Sequence, residues 1–293
     1  MSRFEQDNAA SQAMRRLAGP YARAIFVVTP QGNYAVDVED LYVGAQLRHA
    51  GNYSETELNL LRRLCNSTTR LLVVGAHIGA LAIPLAKGCR SVVGIEANPQ
   101  TFELLQLNLA LNGLTNFRAI NKAAGNRSEP IEFIMSRSNT GGSKRVPIVH
   151  QPDYFHDNPK VVNVESAPLD DLLPNETFDV VLMDIEGSEH FALQGMQRIL
   201  ASAGVLQVEF LPHHLTYVAA VSVADFMASI SPHFLSMLIP SKGLVLGREQ
   251  FIPVLTEMFE RGEGDAGLIF LKLPPDQISW EATGNAPQPG KAE

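Results

Sequence analysis

The chain has 293 residues, 45% of them hydrophobic, with a formal charge of −8 and an isoelectric point near 5.5. That length sets a prior of roughly two domains, but one elaborated α/β domain can take it up, and no linker is visible. The acidic balance argues against a nucleic-acid partner, because phosphate binding needs a concentrated basic surface and the basic residues here are scattered in pairs. Cys65 and Cys89 are too few for a disulfide framework and read as buried thiols. The N-terminal segment MSRFEQDNAASQAMRRLAGP lacks an apolar h-region, and no run approaches the roughly 20 residues of a membrane span. The expectation is a cytoplasmic protein with no membrane partner; the oligomeric state is not legible.

In chain order, residues 3–18 carry a weak helical pattern, and AIFVVTPQGNYAVDVED reads as a hairpin turning at Gln31, Gly32 and Asn33. Ser54 followed by Glu57 reads as a capping box opening a helix that runs to about Leu64. Residues 1–60 are thus a lead-in packed on the core. Strand and helix then alternate: strand 71–75, helix 78–87, strand 91–96, helix 99–112, strand 117–121. Asn98 and Pro99 suit the start of the second helix, Asn112 and Gly113 its end. Residues 126–165 interrupt with IEFIM, VPIV and VVNVE around the turn-rich SRSNTGGSKR. This insertion is expected over the carboxyl edge of the sheet, with 139–143 in reach of a ligand. The alternation resumes with strand 178–184, helix 188–201, strand 204–210, helix 222–230, strand 234–239 and a last strand 267–273. The pattern predicts a doubly wound, mostly parallel α/β sheet over 61–275. The tail, 276–293, lacks core-forming residues and is expected to be disordered.

The segment LLVVGAHIGALAIPLAKGCRSVVGIEA (71–97) is the most informative. An apolar strand stops at Gly75, Gly79 follows, and a second strand ends on Glu96, roughly 20 residues after Gly75, the separation at which a carboxylate reaches ribose hydroxyls. Such a turn lets backbone N–H groups approach a polar ligand. Dinucleotides want a GxGxxG pattern, whereas the middle position here is His77. That favours a phosphate-free adenosine ligand, S-adenosylmethionine first.

A second cluster is FDVVLMDIEGSEHFALQGMQRIL (178–200). Its strand delivers Asp184 and Glu186 at the carboxyl end, where open α/β sheets bind ligands, and period-two geometry puts both on one side. Ser188 is placed to cap the next helix, and Glu189 to satisfy its N-terminal dipole.

VVGAHIGALAIPLA, GIEANPQTFELLQLNLALNG, NKAAGN and above all LDDLLPNETFDVVLMDIEGSEHFALQGM resemble the FkbM family of S-adenosylmethionine-dependent methyltransferases, from about Gly51 to Phe210. The resemblance implies a class I methyltransferase (Rossmann-like) fold, usually of seven strands with an antiparallel last strand, acting on a hydroxyl of a small molecule such as a natural product or sugar. By matching positions, Gly75, Ala76, His77, Ile78 and Gly79 would hold the methionine part and Glu96, with Ala97 and Asn98, the ribose. Asn121, Lys122 and Ala123 would hold the adenine, and Asp184 would lie near the sulfonium. Two positions depart from the family: an acidic residue two before the first glycine is here Val73, and the customary Asn after GA is His77.

Methyl transfer to an alcohol asks for in-line alignment and a base within about 3 Å. Asp184, Glu186, Glu209 and His213 are the catalytic candidates, with His190 and His214 also at strand ends. Asp184, Glu186 and Glu209 could also form an oxygen-rich Mg²⁺ site, although nothing in their spacing demands a metal. Two alternatives stand beside the O-methyltransferase: an NAD-dependent oxidoreductase, against which His77 counts, and a non-catalytic S-adenosylmethionine-binding protein.

Overall fold

The structure, a computed structural model, describes residues 3–278. Its centre is an eight-stranded sheet of β3 (Arg70–Val74), β4 (Ser91–Glu96), β5 (Phe117–Asn121), β10 (Val180–Met183), β11 (Val205–Phe210), β12 (Ser236–Ile239), β13 (Leu244–Gly247) and β14 (Asp265–Leu271), in the order β13-β12-β14-β11-β10-β3-β4-β5. β3, β4, β5, β10 and β11 run parallel, and β14 is antiparallel to β11, so the last strand returns in the reverse direction. Strands covered on both faces read as unbroken apolar runs, which is why LLVV and VVLM were legible. Their alternate side chains feed two cores: Leu72, Val74, Val181 and Met183 on one face, Leu71, Val73, Val180 and Leu182 on the other. The eighth strand, β13, is added by a tight turn ending at Gly243 in the left-handed region.

The lead-in comprises α1 (Arg3–Ala18), the hairpin β1 (Ala24–Val28) with β2 (Asn33–Asp37), α2 (Val43–Ala50) and α3 (Glu55–Leu64). It is bolted to the sheet through Asn108 on α5 (Pro99–Leu111). The Asn108 amide donates to Ala35 O (3.2 Å) and Ile78 O (2.9 Å) and accepts the Ala35 N–H (2.6 Å). The insertion, with the residues that flank it, forms a separate four-stranded sheet of β6 (Ala123–Ala124), β7 (Glu129–Met135), β8 (Lys144–Arg145) and β9 (Lys160–Ala167), in the order β6-β9-β7-β8.

Three local expectations change. Ser54 is in the left-handed region, and its hydroxyl donates to Glu57 Oε2 (2.8 Å) with no bond from its side chain to the helix backbone, so the pair orients Glu57 rather than forming a capping box. The helix predicted over 78–87 shrinks to α4 (Ala82–Ala86), because the glycine turn continues to residue 81. The helix predicted over 188–201 is split into α7 (Glu189–Gln194) and α8 (Gln197–Ser202) around Gly195, where a Cβ would lie 2.0 Å from Gly125 O. Beyond them lie α9 (Val223–Ala228) and α10 (Phe251–Glu260). Of the tail, Pro275–Gln277 form a 3-10 turn, and the expectation of disorder beyond Ile278 lies outside the described residues.

Candidate functional site

At the carboxyl ends of β3, β4 and β10 lies a cavity of about 470 Å³, roofed by the lead-in and the insertion. Gly75 makes the turn possible: its φ is +90°, and a Cβ there would meet Asp184 O at 1.8 Å. Gly75 and Ala76 N–H both donate to Ile95 O (2.9 Å each), Gly79 N–H to Ala76 O, and His77 N–H to Glu96 Oε2 (2.8 Å). These amides are therefore engaged by protein acceptors and form no nest for a pyrophosphate. His77 itself sits at φ +50°, a conformation for which Asn and His are among the better suited non-glycine residues.

Glu96 is buried, and burial pushes its carboxyl up to about 7 even though the N–H groups of Asn98, His77 and Ala97 favour the anion. A carboxylate has about four acceptor positions, so Glu96 can still accept ribose hydroxyls from the cavity. Ala97, Ile131 and Phe133 give the neighbouring wall an apolar face suited to a base. The donor set thus fits a phosphate-free nucleoside, and the cavity is of the size that holds a small cofactor.

The chain leaving β10 turns through Glu186 (φ +56°) and Gly187 (φ +99°). This turn, rather than strand periodicity, brings both Asp184 and Glu186 to the cavity. Asp184 is exposed to the cavity, and the protein mass packed around it, with Glu186, Glu189 and Glu57 nearby, pushes its carboxyl well up. Glu189 braces the turn by accepting the Ile185 N–H (2.9 Å), and Ser188 makes no capping bond. Burial raises Glu189 to about 7. Carboxylate oxygens of Asp184, Glu189 and Glu209 lie within 4.8 Å of one another, so Glu189, not Glu186, completes the cluster with metal-ligand spacing.

Behind Glu186 stands a buried network that the sequence did not reveal. Lys144 Nζ donates to Glu186 Oε2 (2.9 Å) and is 3.4 Å from His214 Nε2, while His214 Nδ1 is 3.1 Å from Glu209 Oε2. Burial, with Lys144 and His213 beside it, pushes His214 down to about 2, so the imidazole is neutral. With Nδ1–H donating to Glu209, Nε2 is free to accept from Lys144. Lys144 comes from the insertion, directly after the segment 139–143 that was expected in reach of a ligand. Tyr53 also reaches the cavity, its phenol raised by burial and by the nearby Asp184, Glu57 and Glu186.

Gly75, Ala76, His77, Glu96, Ala97, Lys122, Ala123, Asp184 and Glu186 line the cavity. Ile78 is buried in the core, Gly79 packs against Ile83, and Asn98 caps α5 by accepting from Gln100 and Thr101 N–H. Asn121 turns outward and donates to Glu96 O (2.8 Å). Glu209 stands behind the wall on His214, and His213 is exposed, its ring against His214. Thr140, Gly141 and Ser143 of the insertion line the cavity alongside Asn139. Among the described residues no helix is long and apolar enough to cross a membrane.

A curated relative from Gloeobacter violaceus, named as an uncharacterized RNA methyltransferase, is 37% identical over 67 residues, 22% of this chain and 15% of that protein. The solved methyltransferase FkbM of Methylobacillus flagellatus KT matches 90% of this chain and 59% of its own, at 17% identity and a TM-score of 0.44. An rRNA methylase of Streptococcus thermophilus matches over 53% of this chain and 68% of its own, at 13% identity and a TM-score of 0.34. The relative named for RNA methylation corrects the exclusion of a nucleic-acid partner. Net charge is a sum over the whole surface, whereas recognition is local, and Lys122, Arg127 and Arg145 all line the cavity. Residues 74–246, more than half of the chain, match the methyltransferase FkbM domain, and the protein belongs to this family of S-adenosylmethionine-dependent methyltransferases.

Proposed function

We propose that the protein transfers a methyl group to a hydroxyl of a small acceptor, with Asp184 as the base. The observation that carries this reading is that one cavity joins the Glu96 turn to Asp184, a carboxylate held well above its usual range. S-adenosylmethionine, when bound, supplies an activated methyl on a sulfonium. The cofactor would rest on Gly75 to His77, with its ribose on Glu96 and its base against Ala97 and Ala123. Asp184 would accept the hydroxyl proton, and a carboxylate raised above its usual range by its surroundings is a stronger base for that task than an ordinary one. Glu186, fixed by Lys144, would orient the acceptor. A cytoplasmic setting belongs to the same proposal.

A divalent cation on Asp184, Glu189 and Glu209 would fit the all-oxygen donor set and would act there by acidifying the hydroxyl. A second reading, methylation of a ribonucleotide, is favoured by the name of the Gloeobacter relative. The test is a screen of hydroxylated metabolites, sugars and short RNAs with the labelled methyl donor, read by product mass. Transfer to nitrogen or carbon alone would overturn the O-methyl assignment, and cofactor binding without transfer to any class would favour the non-catalytic alternative.

A further inference from the structure

Arg145 occupies an unusual position in the arm of the cavity bounded by the insertion. It lies on β8, paired with Phe133 of β7, and its guanidinium stacks on the Phe191 ring at 4.0 Å. Its side chain makes no hydrogen bond or ion pair among the described residues, and Nε is buried without a partner. A guanidinium cannot escape by losing its proton, so a desolvated one calls for a counter-anion. Stacking fixes its plane and presents its N–H edge, the geometry that recognises carboxylate and phosphate oxygens. Lys122 and Arg127 line the same arm, and neither has an ion-pair partner among the described residues. Ser188 adds a hydroxyl to that wall. In a chain whose net charge is −8, three cations without an ion pair share this cavity wall with one carboxylate, Glu129, which acts on Arg145 from beyond ion-pair distance.

We infer that this arm is an oxyanion subsite: the methyl acceptor carries a carboxylate or phosphate that docks on Arg145, with Lys122 and Arg127 at the rim. The inference rests on the proposed methyl transfer and deepens it by naming the acceptor class. The cofactor's own carboxylate is the competing occupant. Its place by family position is the glycine turn, whereas Arg145 sits with Phe191 and the sheet of the insertion.

The test uses the full chain saturated with S-adenosylhomocysteine, titrated with sodium phosphate and sodium acetate while the Arg145 Nε–H resonance, assigned by its loss in Arg145→Lys, is followed by NMR. A saturable shift is expected with at least one anion and none with chloride. Arg145→Gln should weaken that anion by about tenfold or more, the loss of a charge-assisted pair, with S-adenosylhomocysteine affinity within about twofold of the wild type. Arg145→Lys should retain part of the anion affinity, which guards against misfolding of the neutral variant. Absence of a saturable shift with both anions overturns the subsite, as does a loss of S-adenosylhomocysteine affinity in Arg145→Gln, which would give Arg145 to the cofactor. Failure of the wild type to bind S-adenosylhomocysteine would instead break the methyltransferase reading beneath it. Glycerol 3-phosphate and a short oligoribonucleotide then distinguish the source: tighter binding of the first assigns the anion to a small acid, of the second to a nucleic-acid backbone.

Discussion

His77 Nε2 lies 2.8 Å from Thr140 Oγ1, and the Thr140 hydroxyl in turn donates to Asp40 Oδ2. Asp40 Oδ1 accepts the N–H groups of Tyr42 and Gly44 at the start of α2. The glycine turn is thereby tied to both segments that roof the cavity, and the ring that replaces the family's Asn makes the tie. Burial pushes His77 down, so it stays neutral, and because the Thr140 hydroxyl proton goes to Asp40, the Nε2–H tautomer of His77 donates to Thr140 Oγ1. Thr140→Val should remove the bridge, cost about 1 kcal/mol of cofactor affinity through faster dissociation, and leave the fold intact. Stopped-flow release of S-adenosylhomocysteine checks this.

Glu96→Ala should weaken S-adenosylhomocysteine by about 1.5 to 3 kcal/mol, the worth of a charge-assisted hydrogen bond, as read by calorimetry. The wild-type affinity should rise as pH climbs through about 7, where Glu96 becomes the anion that accepts hydroxyls best. The variant should lose that dependence.

Stability of the ligand-free protein should move the opposite way. Glu96 and Glu189 are each raised from 4.5 to about 7, so between those values the folded chain holds protons that the unfolded chain has released. Their contribution is therefore fully present below the ordinary carboxylate range and is lost as pH rises through about 7. Urea midpoints across pH 5 to 8 measure it, in variants Glu96→Gln and Glu189→Gln as controls that should flatten the profile.

Asp184→Asn should lower turnover by roughly 10² to 10⁴ with cofactor binding nearly intact, and the acid limb of the wild-type profile should lie well above the usual carboxylate range. Glu186→Gln should shift that limb downward, because one of the charges raising Asp184 is gone. If chelator abolishes activity and Mg²⁺ restores it, the cation reading replaces the simple base.

Gly75→Ala should destabilise the fold by about 3 kcal/mol or more, because the added methyl meets Asp184 O and the backbone is left-handed. Gly113→Ala is the control: it shares the left-handed backbone at φ +62°, but its Cβ meets nothing within 4 Å. Its cost should be about 1 kcal/mol, from the backbone alone. Chemical denaturation separates the two.

Lys144→Met should cost about 3 kcal/mol by leaving Glu186 beside Glu209 without its cation, and the double variant with Glu186→Gln should recover part of it. A double-mutant cycle on urea midpoints reads the coupling.

The chain itself determined the parallel sheet and the position of the cofactor turn. Runs such as LLVV and VVLM are apolar throughout because both faces are covered, and the residues that stop them, Gly75, Glu96 and Asp184, follow directly in sequence. Local signals are enough where the neighbours that matter are consecutive. The proton network was decided by tertiary structure, because Lys144, Glu186, Glu209 and His214 come from three separate segments and meet only when the insertion folds over β10 and β11. The same holds for sign of charge. Summed along the chain it is −8 and pointed away from anions, whereas folding places Lys122, Arg127 and Arg145 on one wall, and a ligand responds to the charges within a few ångströms of it.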